Sequence, residues 1–169
     1  MTPFPEAFSK TFSDPPAGID LSRLDAGRIP EHIAVIMDGN GRWATGRGLK
    51  RLAGHKAGVT AVRELITAAN DIGVRYLTIY SFSTENWNRS DEEVSGLMKL
   101  FAEVLGKEIV ALSKRGVRLK TIGDLGPLPT VTRTVFQDAE RDTAENTGMT
   151  LVVAVNYGSR AEIVQAVRR

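Results

Sequence analysis

A chain of 169 residues without cysteine excludes disulfides and thiolate metal centres, and its length predicts one domain that buries roughly two thirds of its unfolded surface. A formal net charge of +2 is too small to identify a nucleic-acid partner, so only local charge asymmetry carries information. No apolar run approaches the ~20 residues of a membrane span, and the first thirty residues lack a signal-peptide core; the expectation is a cytoplasmic protein with, at most, peripheral membrane contact.

Pro3, Pro5, Pro15, Pro16 and Pro30 crowd the first thirty residues among Ser, Thr, Asp and Gly. Residues 1–28 therefore read as a flexible leader, with the domain proper starting near Ile29. From Ile33 the chain alternates strand-like and helix-like segments. The short apolar run Ile33 to Met37 is followed by a helix from about Gly54 to Asn70, with Val59, Val62, Leu65, Ile66 and Ala69 on one side. The β-branched and aromatic run Tyr76 to Phe82 is the second strand. Ser90 with Glu93 has the spacing of a capping box and opens the longest helix, which runs to about Lys114 and stops at Gly116. Strand Val117 to Ile122, helix Thr130 to Glu145, strand Met149 to Val155 and a helix from Ser159 or Arg160, still amphipathic at Arg169, complete the pattern. Such alternation predicts an α/β fold, a parallel β-sheet flanked by helices. In the longest helix Val94, Leu97, Met98, Phe101, Leu105, Ile109 and Leu112 keep helical spacing, and Leu100 and Val104 widen the stripe. That breadth fits either a large core or one wall of an apolar cavity.

Chemistry gathers where strands end. Asp38-Gly39-Asn40-Gly41-Arg42-Trp43 follows the first strand, Ser83-Thr84-Glu85-Asn86-Trp87-Asn88-Arg89 the second, and Asn156-Tyr157-Gly158-Ser159-Arg160 the last. In a parallel sheet these ends share one rim, so residues distant in sequence converge. To Gly58 the chain carries Arg42, Arg47, Lys50, Arg51 and Lys56, with His55, against the single acid Asp38. A lone carboxylate in a cationic bowl fits Mg²⁺ completed by substrate phosphates, with arginine forks and glycine amides on the remaining oxygens. Two nucleotide motifs fail. Gly39-x-Gly41-x-x-Ala44 is followed by Gly46 and Gly48 where a dinucleotide fold needs a helix, and Arg47-Gly48 replaces the Lys and Ser or Thr of a Walker loop.

Four segments, Met37 to Ala44, Arg51 to Gly58, Phe82 to Arg89 and Asn156 to Arg160, closely resemble the cis-prenyltransferases of the bacterial undecaprenyl diphosphate synthase type, in that family's order and spacing from about Ile29 to Arg169. The resemblance implies that family's fold, expected to be C-terminally incomplete, with residues 29–169 as the truncated N-terminal part of its catalytic domain. It implies repeated, Mg²⁺-dependent condensation of isopentenyl diphosphate onto an allylic diphosphate such as farnesyl diphosphate, giving a long polyprenyl diphosphate for a cell-wall lipid carrier. By motif, Asp38 would hold Mg²⁺, and Gly39, Asn40, Gly41 and Arg42 with Arg51 would bind the allylic diphosphate, His55 adding a phosphate contact. Ser83, Thr84, Glu85, Asn86, Trp87 and Arg89 would lie by the reacting carbons. Asn86, a weak base, is expected to orient isopentenyl diphosphate while a diphosphate oxygen takes the proton. Trp43 and Trp87 would cover the prenyl group, and the helix faces, Leu97 and Phe101 among them, would enclose the growing chain.

A homodimer is implied for the complete family domain, and no nucleic acid is expected. The family's later motif, Arg-Thr-x-Gly-Glu followed by Arg-x-Ser-Asn, does not occur in this sequence. A chain without it is expected to keep the allylic half of the site and to condense poorly. The other class of function open to the same rim is a non-catalytic partner subunit, or a pyrophosphate- or RNA-binding module.

Overall fold

Branched and aromatic side chains at alternate positions make four short strands, and in the computed structural model, which describes residues 4–15 and 18–168, these form one parallel sheet. In chain order the elements are α1 (Ala7–Thr11), β1 (His32–Ile36), α2 (Asn40–Thr45), α3 (Arg51–Ile72), β2 (Tyr76–Ser83), α4 (Asp91–Lys114), β3 (Arg118–Ile122), α5 (Thr130–Asp142), β4 (Thr150–Tyr157) and α6 (Ser159–Arg168). A 3₁₀ turn, Thr84–Asn88, joins β2 to α4. The strand order is β1-β2-β4-β3, with Val35 beside Ile79 and Ile79 beside Val153. The expected α/β architecture is present, with β1, β2 and β4 as neighbours whose carboxyl ends share one rim.

Leu77, Ile79, Leu119, Leu151 and Val155 enter one buried cluster with Ile66 and Ala69 of α3, Leu97, Met98, Leu105 and Leu112 of α4, and Phe136 and Ala139 of α5. The ladder between β2 and β4 slips between Tyr80 and Phe82 and again at Ser83. That irregularity buries Phe82 and Ser83, neighbours in sequence, together. On the opposite face Ile36 is 75% exposed and Tyr76 40%. The residues of α6 are exposed along its length.

Three details depart from the sequence expectations. Helix α3 begins at Arg51, one turn before Gly54, because the first turn is polar and lies at the rim, where an apolar periodicity has nothing to report. Helix α2 carries no sequence signal of its own, being six residues long and bounded by Gly39, at φ +96°, and Gly46. Helix α5 ends at Asp142, where the Thr143 hydroxyl donates to Ala139 O at 2.7 Å and accepts from Leu119 N–H at 2.9 Å. Within the leader, α1 packs against α3, and the Thr11 hydroxyl donates to the buried Asp71 carboxylate. Pro3 and Pro16 of the leader, and Arg169 of the last helix, lie outside the described residues.

Helix α2 lies hard against α3 at Gly54, where a Cβ would come within 1.9 Å of Asn40 O. Gly54→Ala should lower stability by about 1–3 kcal/mol, because a backbone contact cannot yield as a side chain can. Gly106→Ala, in the exposed interior of α4 with nothing within 4 Å, should raise it by up to ~1 kcal/mol through helix propensity. Urea midpoints of the two variants, measured against the parent chain, check both signs.

Candidate active site

Beyond β1 the chain turns through Gly39, and Asp38 is fixed by that turn: its carboxylate accepts the Gly39 N–H at 2.6 Å and the Arg42 guanidinium at 2.8 Å. The Gly39 N–H first, and Arg42 second, hold the Asp38 carboxyl below its usual range. It is ionised at neutral pH and open to solvent, so it is free to take a cation. Arg51, in the first turn of α3, lies over Gly41, where a Cβ would come within 2.7 Å of the guanidinium carbon. Trp43 is half-exposed beneath the Arg47 guanidinium, 4.3 Å from its ring centroid.

The strongest electrostatic feature of the rim is Glu93, in the first turn of α4. One carboxylate oxygen accepts from Arg51 Nε at 3.0 Å and the other from Arg89 Nη1 at 2.8 Å. His55 Nε2 lies 3.4 Å from the second oxygen, and no hydrogen-bond partner for it is present among the described residues. The Glu93 side chain is 11% exposed. Burial works to raise its pKa, but Arg51, Arg89 and His55 together hold it below the carboxylate range. Burial pushes the His55 imidazole below its ordinary value, only partly offset by Glu93.

In the sequence Glu93 reads only as the acid of a capping box opened by Ser90. Half of that box is present, the Ser90 hydroxyl accepting the Glu93 N–H at 3.4 Å; the carboxylate itself turns away to the three bases. The signal that could have revealed this is the i,i+4 spacing from Arg89. A reciprocal box does form one turn earlier, between Ser83 and Asn86. There the Asn86 carboxamide oxygen accepts the Ser83 N–H at 3.2 Å. Because the Ser83 N–H is a donor, it takes the carboxamide oxygen and not the NH₂, so the amide NH₂ of Asn86 is left to donate elsewhere.

Asp38, Asn40, His55, Ser83, Asn86 and Arg89 all line the mouth of one cavity of about 430 Å³. Below the mouth its wall turns apolar: Val59, Val62 and Ile66 from α3, Leu97, Leu100, Phe101 and Val104 from α4, and Ile79 and Val153 from the sheet. Both readings of the broad α4 stripe are found: Met98 belongs to the core, Leu100 and Val104 to the cavity wall, and Leu97, Leu105 and Leu112 serve both. Gly39, Gly41, Arg42, Trp43, Arg51, Thr84, Glu85 and Trp87 stand around this mouth or behind it without lining the cavity. Trp87 is held by Nε1–H donation to Asn156 Oδ1 at 2.8 Å and packs edge-on against Phe82. Glu85 is kept ionised by its own backbone N–H and the Ser83 and Thr84 hydroxyls, with a smaller contribution from Arg160, so the first turn of α6 comes near the rim.

Among the described residues no three His, Cys, Asp or Glu side chains gather as a metal cluster. A single exposed carboxylate suits Mg²⁺, which binds through one or two carboxylates with water and substrate phosphates; it does not suit Zn²⁺, which takes three or four protein ligands. Nor, among the described residues, is any helix long and apolar enough to cross a membrane.

Residues 36–169 match the family model described as "Putative undecaprenyl diphosphate synthase". An isoprenyl transferase of Clostridium tetani is 49% identical over 149 residues, 88% of this chain and 58% of that protein. The ditrans,polycis-undecaprenyl-diphosphate synthase of Aliivibrio fischeri, described as specific for (2E,6E)-farnesyl diphosphate, is 50% identical over 141 residues, 83% of this chain and 55% of that protein. The crystal structure of lavandulyl diphosphate synthase from Lavandula x intermedia, in complex with dimethylallyl diphosphate, superimposes with a TM-score of 0.80 at 35% identity, over 82% of this chain and 60% of that one. The chain thus spans little more than half the length of the relatives it matches. With this family model covering residues 36–169 and relatives about half identical in sequence, the chain belongs to the undecaprenyl diphosphate synthase family of prenyltransferases.

Proposed function

We propose that this domain works in cis-prenyl chain elongation, the Mg²⁺-dependent condensation of isopentenyl diphosphate onto an allylic diphosphate of the farnesyl type, yielding a long polyprenyl diphosphate for a cell-wall lipid carrier. The observation that carries this reading is the continuity of a polar, arginine-bearing mouth with an apolar cavity. An allylic diphosphate has that same division, a charged head on a hydrocarbon tail, whereas RNA would leave the apolar part empty. A homodimer and a peripheral membrane contact fit the role, since the product is a lipid.

The residues divide the work. At the rim Arg42, Arg51 and Arg89 oppose Asp38 and Glu93, leaving one net positive charge when His55 is neutral. A diphosphate brings more negative charge than that, and Mg²⁺ on Asp38 would balance the excess and neutralise charge on the departing diphosphate. As the allylic C–O bond breaks, its electron pair goes to the diphosphate, so donors aimed there stabilise the transition state more than the ground state. The new C–C bond forms from the isopentenyl double bond, and the proton lost from the adjacent carbon passes to a diphosphate oxygen. With its oxygen committed to Ser83, Asn86 donates to isopentenyl diphosphate and orients it. Asn86→Asp, which replaces the donor by a negative charge, should weaken isopentenyl diphosphate binding at least tenfold by calorimetry; unchanged affinity would remove the orienting role.

The direct test incubates the chain with farnesyl diphosphate, labelled isopentenyl diphosphate and Mg²⁺ and resolves the extracted lipids. Long prenyl products that Asp38→Ala abolishes are the signature of an elongating synthase. Binding of farnesyl diphosphate without products confines these residues to the allylic half of the reaction, and absence of both overturns the reading. His55 offers a second check. Its depressed pKa means that stability is fully present above the ordinary histidine value and is lost as pH falls through the lowered one. In an NMR titration, with the only other histidine, His32, replaced by Gln for assignment, the His55 midpoint should lie below 6.5. Glu93→Gln, which removes the partner that favours the protonated form, should lower it further, and bound diphosphate should raise it.

A further inference from the structure

Below its mouth the cavity wall is largely apolar, with Thr67, Tyr80 and Ser81 as neutral polar members and Arg115 as a charge at the far end; between mouth and far end one charged pair interrupts it. Midway along it Arg63 of α3 and Glu108 of α4 both line the space and face each other across the slot between the two helices. Their contact is bidentate, Arg63 Nη2 to Glu108 Oε1 at 2.6 Å and Nε to Oε2 at 3.1 Å, the geometry that makes arginine and carboxylate most specific for each other. The two helices run side by side in the same direction and are tied at three levels. At the mouth Glu93 of α4 holds Arg51 and His55 of α3. At the far end Arg115, just past α4, lies 3.6 Å from the buried Asp71 of α3. Between them, among the described residues, Arg63–Glu108 is the one ion pair joining α3 to α4. It falls where the cavity keeps the helices apart, eight residues or ~12 Å beyond His55 along the α3 axis.

Its exposure is graded across the slot, Glu108 at 24% and Arg63 at 54%, so the carboxylate sits toward the cavity and the guanidinium covers it from the solvent side. An exposed pair of this kind contributes little to stability. Its placement matters more: paired, the two charges present a closed, neutral wall to a hydrocarbon; with either one removed, the other is left unpaired at the edge of an apolar space and draws water in.

We infer that Arg63 and Glu108 form a strap that seals the middle of the hydrocarbon cavity and thereby determine how tightly a prenyl chain longer than about half its depth is held. The inference rests on the proposed prenyl-diphosphate reading of the cavity. Its mark is dependence on chain length: a chain ending above the strap is indifferent to it, and a chain passing it is not. Neither residue touches the diphosphate, so the pair acts as a specificity determinant.

Geranyl diphosphate, which ends above the strap, and geranylgeranyl diphosphate, which extends past it, are the probes, titrated calorimetrically in the presence of Mg²⁺. In Arg63→Ala and in Glu108→Ala the affinity for geranylgeranyl diphosphate should fall at least tenfold, which corresponds to wetting only two methylenes at about fourfold each, while that for geranyl diphosphate stays within twofold. The reversed pair, Arg63→Glu with Glu108→Arg, should recover most of the loss, and this variant also guards against a single substitution that merely misfolds. Equal losses for both probes, no loss for either, or no recovery in the reversed pair would overturn the strap while leaving the functional reading intact. Failure of the unaltered chain to bind either probe would overturn the functional reading and the strap with it.

Discussion

Burying a carboxylate costs several kcal/mol unless charge and hydrogen bonds replace the lost water, and the placement of Glu93 makes the arrangement of the rim follow from that constraint. With its side chain 11% exposed, Glu93 needs its bases, and the three come from two places: Arg51 and His55 at the start of α3, and Arg89 just before α4. Satisfying one acid therefore fixes where two helices begin relative to each other. It also leaves two arginines with part of their donor capacity still turned toward the mouth, since a guanidinium has five N–H groups and each gives Glu93 one bond here. The same interaction that stabilises the junction makes it attractive to anions.

The cavity below that junction sets the opposite problem. At roughly 24 cal/mol per Å³, a closed dry void of about 430 Å³ would cost on the order of 10 kcal/mol, comparable to the whole stability of a domain. A core of valines, leucines and phenylalanines would be expected to collapse into it. The space persists because it opens at a polar mouth, so that it is never a closed void, and because α3 and α4 are held apart by the sheet and tied only at spaced levels. A ligand with an apolar tail would then bind by replacing water along a wall already formed, with little ordering left to oppose it.

Much of this was legible in the sequence, for physical reasons that also explain what was not. The four strands and the long helices announce themselves through side-chain period, and parallel connectivity alone puts Asp38, Asn86 and Asn156 on one rim. Periodicity reports which side of a helix is apolar and not what it faces, so the stripe from Leu97 to Val104 could not be told from core until the sheet and α3 were in place. Helix α2 escaped because six residues between glycines carry no period. Glu93 escaped because its spacing from Ser90 already had a sufficient local explanation, and local explanations hide long-range ones. Its partners Arg51 and His55 are about forty residues away, and only the packing of α3 on α4 makes them neighbours.

Asn86 joins these two levels. Its carboxamide oxygen closes the 3₁₀ turn that follows β2, and the same commitment decides which end of the amide faces the cavity mouth. A residue in this position cannot be rotated to suit an incoming ligand without opening the turn, whose other constraints are strong: Trp87 is bonded to Asn156, and Asn156, at φ +47°, is itself bonded to Asp124 O at 2.7 Å. Freezing the donor in advance would remove an ordering cost that a free surface amide incurs on binding. The loop between β2 and α4 thus aims its polar groups through the hydrogen bonds that fold it, and the strained backbone at Asn156 is tolerated because one side chain there satisfies both Trp87 and the turn at Asp124.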